Sequence, residues 1–253
     1  MKIERCCMFF SILLISIALQ AQTRHAVGVG VAEFDIEGAY WRALEHPSLR
    51  VDVIDFKEAL IQHQNWQESE FTLVLDHDAT KARILNAFQA NTELFFGSAH
   101  GDNNPGREGL ITTLSERVNA SEFMGRFSGT DFAFFVNSCY SGYFCNNMTG
   151  GEICASSAFS EPSTALGPSY NHTVYFHFLI EGVENNTAAS NGQYLTPYAL
   201  HQYLEPLVIA YTTSSYFGGT QHPKYADHYP GTYIFNKEVE ASLWGDFDYS
   251  LTW

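Results

Sequence analysis

Basic residues are scarce in this chain: 13 Lys and Arg stand against 28 Asp and Glu, for a formal charge of −15. That balance argues against nucleic acid or an anionic membrane surface as partner, because both need a basic footprint. Metal motifs are also missing. The chain has ten histidines, yet neither His-Glu-x-x-His nor Cys-x-x-Cys occurs, and His172 and His177 stand five apart, a poor spacing for two ligands on one helix. No metal and no cofactor is expected, and Asp76-His77-Asp78 reads as a turn between a strand and a helix rather than a cation site. The apolar run from Met8 to Leu19 falls short of the roughly 20 residues that a bilayer-spanning helix needs. There is no internal repeat, low-complexity tract or long linker.

The beginning of the chain carries an export pattern. Lys2 and Arg5 precede the apolar run, and the small residues Ala18 and Ala21 follow, as at a signal-peptidase site. Residues 1–22 are therefore expected to be a cleaved signal peptide and residues 23–253 a single domain, secreted or periplasmic and a monomer, with no membrane contact after cleavage. Cys6 and Cys7 leave with the signal. Three cysteines remain, Cys139, Cys145 and Cys154, an odd number. Either Cys145 and Cys154 close a short disulfide loop or all three stay reduced. Four Asn-x-Ser/Thr sequons, at Asn119, Asn147, Asn171 and Asn185, matter only if the source glycosylates exported proteins.

Apolar runs alternate with helical stretches along the rest of the chain. Strands are expected at Ala26–Ala32, Phe71–Leu75, Glu93–Ser98 and Phe132–Val136. Helices are expected over Val51–Ile61 and from Asp78 or Thr80 through Phe88. Continuous apolar strands of this kind suit the middle of a parallel sheet covered on both faces. The two most apolar strands run into Ala99-His100-Gly101-Asp102 and Asn137-Ser138-Cys139-Tyr140-Ser141-Gly142. Ligands gather at the carboxyl ends of strands in open α/β sheets, which makes these two segments the candidate site.

A thiol attacks a carbonyl carbon as thiolate, so a nucleophilic Cys139 needs a base, and His100 supplies one if the two strands are neighbours. Gly101 lets the backbone come close to a substrate. The amides of Gly101 and Cys139 are candidates to face a developing oxyanion. Taken singly, a lone Cys after an apolar strand is more often a small buried residue, and a lone His is usually structural. Two reactive strand ends together point to acyl transfer.

These blocks resemble those of the caspase/metacaspase-like cysteine peptidases, a group related to the legumain and gingipain branches. Ala99-His100-Gly101 is similar to the family's His-Gly, and Asn137-Ser138-Cys139-Tyr140-Ser141-Gly142 to its Asp-x-Cys-x-Ser-Gly. Further segments agree in order: Arg24–Val31 with the first strand, Leu49–Val53 with a helix start, Asp78–Ile84 with an Ala-Thr-x-x-x-Ile stretch, and Ile153–Ala158 with Glu161 with the strand and loop beside the cleft. Tyr175–Gly182 looks like the helix that follows, and Gly219–Pro223 with Gly231–Phe235 like the Gln-x-Pro segment and closing strand.

The resemblance implies a caspase-like three-layer α/β/α sandwich around a mostly parallel sheet. It implies a cysteine endopeptidase acting on a peptide or protein substrate through a His100–Cys139 dyad and an acyl-enzyme. A thiolate–imidazolium pair needs no third residue. Substrate binding would fall to Asp52, Asn137, Ser156 and Glu161. The chain departs from the pattern at Asn137, where the family commonly has an S1 Asp, so a basic P1 side chain rests on Asp52 alone, and Asn137 suits an amide or small polar one. It departs again at Ala189-Ser190-Asn191-Gly192, which lacks the carboxylates a calcium loop needs. Two alternatives stay open: a catalytically silent binding protein of the same fold, and a legumain-like asparaginyl peptidase or transpeptidase.

Overall fold

The structure, a computed structural model, describes residues 24–164, 171–185, 194–214 and 219–236. The leader segment and the loop at Ala189–Gly192 lie outside the described residues.

The chain runs β1 (His25–Gly30), α1 (Ser48–His63), β2 (Phe71–Leu75), α2 (Lys81–Asn86) and β3 (Thr92–Ser98). A small hairpin sheet follows, β4 (Gly101–Asp102), β5 (Gly109–Ile111) and β6 (Arg117–Val118), then α3 (Ala120–Met124) and β7 (Ala133–Asn137). The remaining elements are α4 (Gly142–Asn147), β8 (Glu152–Ala155), α5 (Val174–Glu184), α6 (Pro197–Ser214) and β9 (Lys224–Asp227). The main sheet has the order β2-β1-β3-β7-β8-β9. Every pairing is parallel except β8 with β9.

Alternation along the strands feeds two cores. On one face Ala26, Leu94, Phe96 and Phe135 pack against Val53, Phe56 and Leu60 of α1, against α5, and against Leu200, Leu204 and Val208 of α6. On the other, Val27, Val29, Phe95 and Phe134 meet Ile84 and Leu85 of α2, Phe123 of α3 and Phe144 of α4. A period of two divides each strand's side chains between the faces, and both faces are apolar, so the strands read as continuous hydrophobic runs. This is the expected three-layer sandwich.

One feature differs from the sequence reading, and one alternative that it left open is decided. Gly231–Phe235 is not a strand; the last described strand is β9, and the later segment is tied down piecemeal. Tyr233 N donates to Glu152 Oε1, Phe235 N to the Leu195 carbonyl, and the Phe235 carbonyl accepts from Arg24 and Trp66 Nε1. With its polar groups satisfied by such partners, the segment needs no ladder. The three cysteines are also all free. Cys145 belongs to one core and Cys154 to the opposite one, so the sheet separates the pair that a disulfide would join.

Candidate active site

The central pair β3 and β7 places the two reactive segments side by side. Ser98 is in register with Asn137, and His100 and Cys139 each stand two residues beyond that pair. Both line one cavity of about 150 Å3, together with Ala43, Leu44, Glu45, His46, Leu49, Ala99, Asn137, Ser163, Thr164 and Thr173.

Backbone geometry explains how Cys139 is presented. Between β7 and α4 the chain reverses over four residues, with Ser141 N donating to the Ser138 carbonyl, and Tyr140 sits at φ +64°. A bulky residue in the left-handed region is strained. Tyr140 N donates to the Glu161 carbonyl at 2.8 Å, and a cluster of hydroxyls holds the rest. Ser138 N donates to Ser156 Oγ, while the hydroxyls of Ser156 and Ser157 both donate to the Ser138 carbonyl. Ser141 Oγ lies 3.1 Å from Ser156 Oγ. Ser156 is therefore fully buried behind the nucleophile turn and is absent from the cavity lining. Glu161 acts from outside the cavity too: its carboxylate accepts from His222 N and Nδ1, both at 2.9 Å.

Gly101 packs directly on this turn. A Cβ at Gly101 would lie 2.0 Å from the Cys139 carbonyl oxygen, a backbone atom that cannot swing aside. Gly101→Ala is thus expected to displace the turn and to cost about 1–3 kcal/mol of stability together with activity. Urea denaturation checks this, and an unchanged midpoint would show that the turn has room.

His100 Nε2 lies 2.7 Å from the Leu44 carbonyl. A carbonyl only accepts, so Nε2 carries the proton and Nδ1 is left as the base. The Leu44 carbonyl is an orienting group that the sequence could not reveal, because it is a main-chain atom from a segment 56 residues away. Burial pushes the His100 pKa down, outweighing the raising effect of Leu44, and burial pushes the Cys139 thiol up, against a hydrogen bond to the Ser163 carbonyl. Both shifts favour a neutral imidazole and a neutral thiol at rest.

Asp52, on α1, is wholly buried. Its carboxylate accepts from Ser98 Oγ at 2.6 Å, Thr173 N at 3.0 Å and Thr173 Oγ1 at 2.8 Å. Burial nevertheless raises its pKa to about 7, the hydrogen bonds from Ser98 and Thr173 opposing. Asp52 is absent from the cavity lining, whereas Asn137 belongs to it. The structure thus brings together His100, Gly101, Cys139 and Asn137, and sets Asp52, Ser156 and Glu161 behind them. Sequence reasoning missed Leu44, Ser163 and Thr173. Position 173 carried a faint signal, a Thr just before an apolar helix, as an N-cap would be.

The sequence matches no protein-family model and no curated protein. Among solved structures it is similar to the crystal structure of caspase-1 from Spodoptera frugiperda, with a TM-score of 0.55 and 11% identity over 85% of this chain and 90% of that one. With its mostly parallel sheet between two helical layers, the chain has a caspase-like fold.

Proposed function

We propose that the protein is an exported cysteine endopeptidase that hydrolyses peptide bonds through Cys139 and His100. The observation that carries this reading is the matched placement of the two residues beyond the Ser98–Asn137 pair, lining one cavity, with the His100 tautomer fixed by Leu44. Export is supported by Lys2 and Arg5, the Met8–Leu19 run, and the small residues Ala18 and Ala21 at its end.

Cys139 Sγ attacks the scissile carbonyl carbon while its proton passes to His100 Nδ1. Main-chain amides of Gly101 and Cys139 are the candidates to stabilise the oxyanion. His100 then gives the proton to the leaving nitrogen, the C–N bond breaks, and a thioester remains. Water attacks the thioester, its proton goes to His100 and on to the departing thiolate, and the acid is released. An amine in place of water would give transpeptidation from the same intermediate.

The test is a fluorogenic peptide library combined with acyloxymethyl ketone probes, with the adduct mapped by mass spectrometry. Cleavage and an adduct on Cys139 are the expected results. Neither cleavage nor adduct would favour the silent binding protein, whereas product joined to an added amine would identify the transpeptidase. The first expectation for P1, a basic side chain held by Asp52, meets a geometric difficulty that leads to the next inference.

A further inference from the structure

The cavity beside Cys139 measures about 150 Å3. Leu44, Leu49 and Ala99 supply apolar wall, and Asn137, Ser163 and Thr173 supply polar wall.

Those polar groups are already committed to one another. Asn137 Nδ2 donates to Ser98 Oγ at 2.9 Å and to Thr173 Oγ1 at 3.0 Å, and its Oδ1 accepts from Ser163 Oγ at 2.6 Å. Ser163 Oγ also lies 3.2 Å from Ser156 Oγ, and Thr173 Oγ1 donates onward to Asp52. Asp52 is sealed behind this layer with its carboxylate already accepting three hydrogen bonds. Among the described residues the titratable groups lining the cavity are Glu45, His46, His100 and Cys139. Glu45 is the one carboxylate and is exposed, and His46 Nδ1 is bound to Ser48 Oγ.

An Arg or Lys side chain entering here would shed its water and meet one counter-charge among the described residues, the Glu45 carboxylate, which is exposed and screened by solvent. An uncompensated buried charge is among the costliest arrangements in a protein. A small neutral side chain meets no such penalty, and a hydroxyl can use the second lone pair of Asn137 Oδ1.

Resting on the peptidase reading, we infer that this cavity is an S1 pocket for a small uncharged side chain of the Ala, Ser or Thr class. Asn137, locked by Ser163 and Thr173, is the residue that sets this choice against Arg and Lys. Asp52 serves the wall as a hydrogen-bond acceptor and makes no contact with the P1 side chain.

The experiment compares acyloxymethyl ketone probes and fluorogenic peptides identical except for Ala, Ser, Asp, Lys or Arg at P1. Ala and Ser are expected to react at least about 100-fold faster than Lys and Arg. Asn137→Asp, which puts a carboxylate at the wall, is expected to narrow that ratio at least tenfold, whereas Glu45→Gln leaves it unchanged. Lys or Arg probes that match or exceed Ala overturn the inference and leave the peptidase reading intact, as does a ratio that widens markedly in Glu45→Gln, which would make Glu45 the counter-charge that sets the choice. Adducts with none of the probes remove both. The wild-type profile decides the matter by itself if Asn137→Asp fails to fold.

Discussion

Cys139→Ala is expected to abolish turnover and covalent labelling, and His100→Ala to slow both by roughly 10³-fold. Burial holds the His100 pKa below its ordinary 6.5 and the Cys139 pKa above its ordinary 9.0. At neutral pH the base is therefore free and the thiol intact, so the proton must move during attack. On the proposed mechanism activity requires neutral His100 and is expected to rise with pH through a midpoint below 6.5. The same state predicts that iodoacetamide alkylates Cys139 slowly at pH 7, at a rate still climbing above pH 9. An alkylation rate that has already reached its plateau at pH 6 would instead establish a thiolate–imidazolium pair. The dyad substitutions should leave the urea midpoint near that of the wild type, so a lost activity is not a lost fold. His100→Ala activity equal to wild type would remove the acyl-transfer mechanism.

The parts of this fold that were legible in the sequence are those where one physical signal repeats. Phe71–Leu75 and Glu93–Ser98 stand out because both faces of the sheet are apolar, and Val51–Ile61 because α1 turns one stripe to the core. The hairpin sheet β4–β6 was illegible: its strands are two or three residues long, too short for any period. Helix α6 was missed as well, since Pro206 stands inside it and Pro usually ends a helical pattern. At the site, the dyad was readable from two reactive residues at apolar strand ends. Its surroundings were not. Ser163, Thr173 and the Leu44 carbonyl reach the site from three separate segments, and apart from the helix-start position of Thr173 nothing in their local patterns marks them. Asp52 reaches Asn137 only through Ser98 and Thr173, and whether a carboxylate faces a cavity or a wall of hydroxyls depends on side-chain packing alone.

Asp52 itself gives the second large effect, in stability rather than activity. Burial raises its pKa from 3.8 to about 7 in the folded chain, although Ser98 and Thr173 donate to it. Between those two values the folded state therefore holds more protons than the unfolded state, so stability falls as pH rises through the window and is level above it. At about 1.36 kcal/mol per pKa unit, the loss between pH 4 and pH 7 amounts to roughly 4 kcal/mol. In Asp52→Asn the side chain mimics the protonated acid: its Oδ1 still accepts from Thr173 N, and Nδ2 replaces the O–H. The difference between the unfolding free energies of the two proteins reads the contribution of this one position. Urea denaturation at pH 4.5, 5.5, 6.5 and 7.5 is expected to show the wild type losing ground to Asp52→Asn steadily as pH rises. Parallel curves would mean that Asp52 is ionised throughout, a buried anion beneath Asn137. That result would also return to the S1 wall the counter-charge a basic P1 side chain needs, so the stability measurement and the P1 profile test one electrostatic arrangement from two sides.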